Sequence, residues 1–292
     1  MFSGSIPALV TPFREGLFDE AAYRDLIEWQ IAEGSTGLVP CGTTGEAATM
    51  PFDEHFRVVR VCVEQARGRV PVIAGAGSND TRVAIANIEA AKMARADAAL
   101  MVPPYYNRPN QAGIIAHFDA VVAACDLPIV LYNVPGRTVT DMSVETIATL
   151  AHRHRSIKGL KDATGVIQRV SAQRAAAGSD FFQLSGNDDM ALAFNATGGV
   201  GCISVTANVA PRLCAEFQAA TLAGDYAKAL AYQERLFALH VALFTDASPG
   251  PVKYALNRVR PEISAELRLP MTPPGEASRS AVDAALELAG LG

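Results

Sequence analysis

The feature that most constrains the fold is a regular alternation of short apolar runs with longer amphipathic runs over residues 1–224. The short runs lack a clean inward and outward alternation, which is typical of parallel strands covered on both faces. The pattern therefore predicts an α/β protein with a buried parallel sheet. The predicted strands are Ile6–Val10, Gly37–Pro40, Val70–Ala74, Ala99–Val102, Pro128–Tyr132, Ile157–Lys161, Phe182–Leu184 and Gly201–Ser204.

Each predicted strand precedes a segment with helical periodicity. Side-chain oxygens that can cap a helix N-terminus are present at Asp19 or Glu20, within Asn79–Thr81 and within Asp141–Ser143. Eight strand–helix units predict a (β/α)₈ TIM barrel. A doubly wound sheet is the alternative, but it typically has about six units and a glycine-rich phosphate turn after its first strand. The predicted helices are Glu20–Glu33, Asp53–Arg67, Thr81–Arg95, Gln111–Ala124, Ser143–Ala151, Val166–Ala177, Asp189–Ala196 and Pro211–Leu222.

The remainder of the chain contains no further predicted strand. Helical patterns cover Ala227–Phe244, Pro251–Val259 and Ala281–Leu291. We therefore predict a barrel catalytic domain over residues 1–224 and a C-terminal helical extension, packed on the barrel, over residues 225–292.

Composition and charge restrict the functional class. The 292 residues are 50% hydrophobic and 19% charged, below the ~25% charge of typical soluble domains, which favours a large core and a buried subunit interface. A formal net charge of −5 without a Lys/Arg-rich cluster argues against nucleic-acid binding. Five cysteines without CxxC spacing argue against a disulfide scaffold or a zinc site and favour the reducing cytoplasm.

Neither a signal peptide nor a membrane span is predicted. The N-terminus lacks a basic segment followed by a long apolar one. The longest uncharged stretch, Met190–Pro211, contains Asn195, Gly198 and other polar or turn-forming residues. We interpret it as a helix end, a turn and a buried strand.

Lys161 is the most informative residue at a strand end. Catalytic groups of such barrels lie at the C-terminal ends of the strands, and Lys161 ends an apolar strand that should point inward. Burial disfavours the ammonium form of a lysine and so favours an amine that can attack a carbonyl. The alternative is a lysine that extends out of the barrel mouth. Lys158 lies three residues earlier and should face the opposite side.

Other strand ends carry groups that complement an amine. Tyr132 can transfer protons to a carbonyl adduct, or it can simply pack in the core. Thr43 and Thr44 can orient that hydroxyl and bind a carboxylate, or they can serve only as turn residues. Arg137 follows a Pro-Gly turn and can bind a carboxylate with two hydrogen bonds, although a loop arginine is usually a surface residue.

Histidines indicate no metal site. His152 and His154 form half of a ligand pattern, but no carboxylates follow at ligand spacing. The predicted site therefore contains lysine, tyrosine, threonine and arginine without metal, which suits Schiff-base chemistry on a keto acid.

Taken together, the motifs identify a family. GSIPALVTPF, GTTGE, PVIAGAGSN, PPYYNRP, LYNVPGRT, GLKDATG, LSGNDD, GGVGCISVTANVAP and LRLPMTP span nearly the whole chain. The sequence resembles the dihydrodipicolinate synthase and N-acetylneuraminate lyase family of class I aldolase-type barrels. Tyr106 in YYNRP and Arg137 in YNVPGRT are typical of members that act on aspartate semialdehyde, whereas relatives that take sugar acids usually differ at both places.

The resemblance implies a lyase that condenses pyruvate with L-aspartate-4-semialdehyde to 4-hydroxy-tetrahydrodipicolinate in the diaminopimelate and lysine pathway. It implies a covalent imine between pyruvate and Lys161 and no other cofactor. Tyr132 would move protons on the adducts, and Thr43 would link Tyr132 to Tyr106.

The remaining implied roles concern binding and assembly. Thr44 would hold the pyruvate carboxylate, Arg137 would bind the carboxylate of the aldehyde, and the backbone around Gly186 and Ile203 would line the pyruvate site. The resemblance also implies a homotetramer, a dimer of dimers, in which Tyr106 reaches the neighbouring subunit's site.

An allosteric lysine site is implied in degenerate form. Asn79, His55 and Tyr105 match the positions of that site, but Val83 stands where lysine-sensitive members typically have glutamate. An ammonium bound beside Val83 would lack a charge-assisted hydrogen bond, worth roughly 1.5–3 kcal/mol. We therefore predict weak or absent inhibition by L-lysine.

Three alternatives stay open on the sequence alone. The first is another pyruvate-dependent aldolase, such as a 2-keto-3-deoxy sugar acid aldolase or an N-acetylneuraminate lyase. The second is a non-catalytic homologue that binds a keto acid. The third, a metal-dependent hydrolase, would need carboxylates and histidines at strand ends.

Overall fold

A parallel sheet forms the centre of the molecule. The computed structural model describes residues 2–292. Its strands are β1 (Gly4–Pro7), β4 (Ile73–Gly75), β5 (Ala98–Met101), β6 (Ile129–Asn133), β7 (Ile157–Asp162), β8 (Phe182–Ser185) and β9 (Gly201–Ser204). The strand order in the sheet is β1-β9-β8-β7-β6-β5-β4, and every neighbouring pair is parallel.

The predicted strand Gly37–Pro40 closes this sheet into a barrel, although it is shorter than expected. Val39 pairs with Ala8 and Leu38 pairs with Val72, each as an isolated parallel bridge. The Val39 N–H donates to the Pro7 carbonyl at 3.0 Å. This segment therefore joins the two outer strands β1 and β4, and the predicted (β/α)₈ barrel is confirmed.

Helices surround the barrel as predicted. Asp19 accepts a hydrogen bond from the Ala22 N–H, and Ser143 accepts one from the Thr146 N–H, so these N-caps are confirmed. The barrel helices are α1 (Glu20–Ala32), α2 (Phe52–Ala66), α3 (Thr81–Met93), α4 (Gln111–Ala124), α6 (Val144–Arg153), α7 (Gln168–Ala177), α8 (Ala191–Ala196) and α9 (Pro211–Leu222).

The C-terminal extension contains α10 (Tyr226–Ala242), α11 (Gly250–Val259) and α12 (Glu276–Ala289). Helix α10 packs on α9 and α12, and α11 packs on α12. The last helix begins earlier than predicted, because polar residues from Glu276 onward occupy its exposed first turns. The division of the chain into domains at residue 224 stays a prediction.

Several short elements were not predicted. A two-stranded antiparallel hairpin, β2 (Phe13–Arg14) and β3 (Leu17–Phe18), turns at Glu15 and Gly16, both of which have positive φ. A single-turn helix, α5 (Pro135–Thr138), follows β6. Such elements are too short to give a periodic pattern, which explains why the sequence did not reveal them.

Two apolar layers explain the continuous apolar strands. Ile6, Leu100, Tyr132 and Ile203 belong to a cluster inside the barrel, and a larger cluster fills the space between strands and helices. The stretch Met190–Pro211 contains α8 and β9, as predicted. In the part of the chain that the structure describes, no helix is both long and apolar enough to cross a bilayer.

Candidate active site

Lys161 and Tyr132 meet inside the barrel mouth. They are paired in register between the neighbouring strands β6 and β7. The Lys161 side chain is buried, and its Nζ lies 4.2 Å from the centroid of the Tyr132 ring. Lys158 is exposed, as strand alternation predicts. Among residues 2–292, no carboxylate or hydrogen-bond acceptor pairs with the Lys161 amine, so a substrate can bond to it without displacing a partner.

Gly186 lies directly beside the stem of this lysine. A Cβ atom at Gly186 would lie 3.1 Å from Lys161 Cε and 2.6 Å from the Cβ of Ala163. The Gly186 N–H donates to the Asp162 carbonyl at 2.7 Å. Only glycine leaves space here for the extended lysine, and Ile203 lies in the same barrel interior as Tyr132. The structure thus brings Gly186, Ile203, Lys161 and Tyr132 together.

A cavity of about 460 Å³ opens next to Tyr132. Thr43, Tyr132 and Arg137 line it, together with Val134 and Thr138 from the end of β6 and from α5. Arg137 and Thr43 are exposed there, so both side chains are available to a ligand. A guanidinium and a hydroxyl therefore share one cavity with the ring that supports the Lys161 amine.

The Gly-Thr-Thr-Gly turn is held tightly on the barrel rim. The Glu46 N–H donates to the Thr43 carbonyl at 3.1 Å. On the outer side, the Thr11 hydroxyl donates to the Gly45 carbonyl at 2.8 Å. Thr44 is buried within the turn, whereas Thr43 is exposed to the cavity. The turn therefore presents one threonine to solvent and fixes the other.

Tyr106 lies outside the lining of the cavity that Thr43 and Tyr132 share. Its side chain is 89% exposed, and its φ is +68°. A large aromatic side chain is rarely left so open on a soluble surface. The link from Tyr132 through Thr43 to Tyr106 stays a prediction.

Three of the four residues assigned to the lysine site line the same cavity. These are His55, Tyr105 and Val83, with Val83 46% exposed. Burial lowers the pKa of His55. Asn79 lies outside the cavity lining, and its carbonyl accepts a hydrogen bond from the Asn107 side chain at 2.9 Å. Three residues of the predicted lysine site therefore share one cavity with Thr43, Tyr132 and Arg137.

Sequence reasoning missed two buried charged groups near the site. Asp188, in the turn after β8, accepts a hydrogen bond from the Ser204 hydroxyl and another from the Val205 N–H at 2.9 Å, which ties the ends of β8 and β9 together. Glu46, in the turn after Thr44, forms an ion pair with Lys253 of α11. The available signals were an acidic residue in the loop that follows each strand and a lysine within the apolar pattern of α11.

The fold and the site define a class: a (β/α)₈ barrel with a buried lysine at the end of a strand and, at its mouth, a cavity into which a tyrosine, a threonine and an arginine project. The model of the dihydrodipicolinate synthetase family matches residues 1–289. The chain belongs to that family, and the resemblance predicted from the motifs is confirmed.

Relatives match along their whole length. The chain is 67% identical over 291 residues to the 4-hydroxy-tetrahydrodipicolinate synthase of Rhizorhabdus wittichii, covering 100% of both chains. It is 63% identical over 292 residues to the enzyme of that name from Novosphingobium aromaticivorans, covering 100% of this chain and 99% of the relative. A solved dihydrodipicolinate synthase from Acinetobacter baumannii, complexed with pyruvate, is 42% identical with a TM-score of 0.97, and 100% of each chain is covered.

Proposed function

We propose that this chain is a lyase that condenses pyruvate with L-aspartate-4-semialdehyde to 4-hydroxy-tetrahydrodipicolinate, in the pathway to diaminopimelate and lysine. The observation that carries the proposal is Lys161, a buried amine on the Tyr132 ring without an acidic partner in the described chain. Relatives at 59–67% identity with the matching name support it, and they do not favour the aldolases of sugar acids.

The first steps form and activate an imine. The Lys161 amine attacks the carbonyl carbon of pyruvate, a carbon–nitrogen bond forms, and water leaves. Thr44 and its turn hold the pyruvate carboxylate. Tyr132 accepts and returns protons on the adduct, and loss of a methyl proton gives the enamine. Such positioned proton transfer contributes about 10²–10⁴-fold to rate.

The later steps join the second substrate and release the lysine. The enamine carbon attacks the aldehyde carbon of the semialdehyde, whose own carboxylate is held by Arg137. The amine of that substrate then attacks the imine carbon. The ring closes, the bond to Lys161 breaks, and the Lys161 amine is regenerated. No cofactor other than this covalent adduct is required.

We further propose that the active form is a homo-oligomer, a dimer of dimers, in which Tyr106 completes the site of a second copy. The exposed Tyr106 ring on the same side as the cavity supports this assembly. The proposed compartment is the cytoplasm, supported by the five cysteines, all of which are free and buried.

The test is reduction of the folded protein with borohydride in the presence of pyruvate, followed by peptide mass spectrometry. We expect a reduced pyruvyl adduct on Lys161 and none in the Lys161→Met variant. The Lys158→Met variant is the matched control, because Lys158 lies on the same strand but faces outward. Wild-type protein that yields no adduct on Lys161 would overturn the proposal.

A second measurement identifies the aldehyde. Truncation of Arg137 to alanine should leave the pyruvate adduct intact but lower kcat/KM for aspartate semialdehyde by about 10²-fold, the value of a lost charge-assisted contact. Arg153→Ala is the control, since Arg153 lies before β7 at the opposite end of the barrel. Equal losses in both variants would contradict the role of Arg137.

A further inference from the structure

A buried ion pair joins the C-terminal extension to the turn that carries Thr43 and Thr44. Lys253 of α11 is 1% exposed, and its Nζ lies 2.5 Å from Oε1 of Glu46. The same Nζ donates a hydrogen bond to the Glu266 carbonyl at 2.7 Å. It also lies 4.2 Å from the centroid of the Phe13 ring. The ammonium is therefore enclosed by one carboxylate, one carbonyl and one aromatic face.

The second oxygen of Glu46 is bound to another part of the extension. Its Oε2 accepts a hydrogen bond from the Arg268 N–H at 3.1 Å. The Arg268 guanidinium lies 4.0 Å from the Phe13 ring centroid, and its Nη2 pairs with Glu54 at 2.7 Å. A single side chain of the barrel rim thus receives contacts from α11 and from the loop before α12.

The backbone at Glu46 needs such support. Glu46 has a φ of +58°, a left-handed conformation that is unfavourable for a residue with a Cβ atom. Its N–H closes the turn onto the Thr43 carbonyl. A change in the orientation of Glu46 therefore changes the positions of Thr43 and Thr44 directly.

We propose that Glu46 and Lys253 are positioning residues, through which the C-terminal extension fixes the Thr43–Thr44 turn in the geometry that binds the keto-acid carboxylate. This inference rests on the proposed function, because it assigns a use to the same turn. It also gives the extension a part in the active site, although none of its residues lines the cavity described above.

Stability alone is a poor reason for such a pair. Taking two charges out of water is costly, and well-packed apolar residues often replace a buried ion pair without loss of stability. Burial lowers the pKa of Lys253 to about 8, against the opposing effect of Glu46, so the cost at this site is substantial. The gain is a fixed direction for Glu46, which an apolar contact would not define.

The test uses Glu46→Gln, Lys253→Met and the double variant in the full chain. Glutamine keeps an acceptor for the Arg268 N–H, and methionine keeps the buried stem. We expect the KM for pyruvate to rise about 10-fold in each variant, with kcat within about 3-fold, because a misplaced turn weakens substrate positioning. The double variant should be no worse than the poorer single variant, since the two residues act through one another.

Arg258→Met is the matched control. Arg258 lies on the same helix but forms an exposed ion pair with Asp283, at 3.0 Å, rather than with a residue of the turn. The KM of the Arg258→Met variant for pyruvate should equal that of the wild type. If a single variant fails to fold, the KM of the double variant provides the test, because the double variant has neither the Glu46 nor the Lys253 charge left unpaired in the interior.

Two failures are distinguishable. Wild-type protein without a pyruvate adduct on Lys161 would remove the proposed function and this inference with it. A double variant that keeps the adduct and a wild-type KM for pyruvate would overturn the positioning role alone. A raised KM shared by Arg258→Met would also overturn it, because the effect would then come from a loosened helix.

Discussion

Two lysines in this molecule are buried to nearly the same degree, yet their surroundings differ in one respect. The amines of Lys161 and Lys253 each lie 4.2 Å from the centroid of an aromatic ring, Tyr132 and Phe13 respectively. Lys253 also has the Glu46 carboxylate as an ion-pair partner. Lys161 has no such partner within residues 2–292. The aromatic face is common to both, and the carboxylate separates a structural cation from an amine open to substrate.

Their places in the fold explain the difference. Lys161 is at the C-terminal end of β7, where parallel strands of a barrel direct side chains to the site. Lys253 is on α11, outside the barrel, where a charged group must be paired to be buried. The same residue type is thus unpaired inside the barrel, where we propose that it reacts, and paired with a carboxylate outside the barrel.

The largest expected effect is on activity at Lys161. Lys161→Met should lower kcat/KM by at least about 10³-fold, because it removes the amine that would form the imine. Lys161→Arg should be equally inactive, since a guanidinium stays charged and is not a nucleophile. Steady-state assays with a circular-dichroism check of folding measure this. Retained activity in either variant would break the comparison between the two lysines.

The next largest effect is on stability, where we expect Lys253→Met to be more damaging than Lys161→Met. Lys253→Met leaves Glu46 buried without its cation and should cost about 3–5 kcal/mol of unfolding free energy. Lys161→Met removes no ion pair and should change stability by less than about 1 kcal/mol. Urea unfolding at pH 7.5 compares the two variants. Equal losses of unfolding free energy in the two variants would show that the Glu46 carboxylate does not make the surroundings of Lys253 energetically different from those of Lys161.

Sequence reasoning reached the fold and one of these two lysines. The strand Ile157–Lys161 was recognised by its apolar run, and its alternation separated Lys161 from Lys158. The motif resemblance then supplied roles for Tyr132, Thr43 and Arg137. These residues are close in sequence to strand ends, so the strand pattern of the sequence is sufficient to predict where they lie in the fold.

The Glu46–Lys253 pair was missed for a physical reason. Its members are far apart along the chain, and neither shows a local pattern that requires the other. Their contact arises only when α11 packs over the barrel rim. The predicted strand Gly37–Pro40 is likewise reduced to isolated bridges at Leu38 and Val39, because its pairing depends on both of the strands between which it lies.

A smaller effect on stability is expected at a third buried basic residue, the histidine His117. His117 bonds to the Thr81 hydroxyl at 2.9 Å and packs against the Phe118 ring, and burial lowers its pKa to about 4. Because the folded pKa is below the ordinary value near 6.5, its contribution to stability is complete above pH 6.5 and is lost as the pH falls towards 4. The loss should reach about 2–3 kcal/mol.

Urea midpoints between pH 7.5 and pH 4.5 measure this loss. His117→Gln should flatten the acid slope, since the uncharged amide cannot take up the proton. His152→Gln is the control, because His152 is exposed. If His117→Gln keeps the acid slope of the wild type, burial of His117 does not account for the loss of stability at low pH.

The smallest expected effect concerns a third ammonium, that of free L-lysine. At the cavity wall it would meet Val83 and His55, where burial lowers the histidine pKa and Val83 offers no charge. The ammonium would thus lack the carboxylate that Lys253 has. Titration with L-lysine to millimolar concentration should lower activity by less than about 2-fold, because a charge-assisted hydrogen bond worth roughly 1.5–3 kcal/mol is missing.

Restoring the carboxylate tests this reasoning directly. Val83→Glu should lower the inhibitory concentration of L-lysine about 10-fold or more, whereas Val83→Gln, of similar shape but uncharged, should change it much less. Val83 is 46% exposed, so either substitution can be accommodated without disturbing the core. Strong sub-millimolar inhibition of the wild type would show that this cavity binds an ammonium without an acid, and the distinction drawn from Lys161 and Lys253 would not extend to ligands.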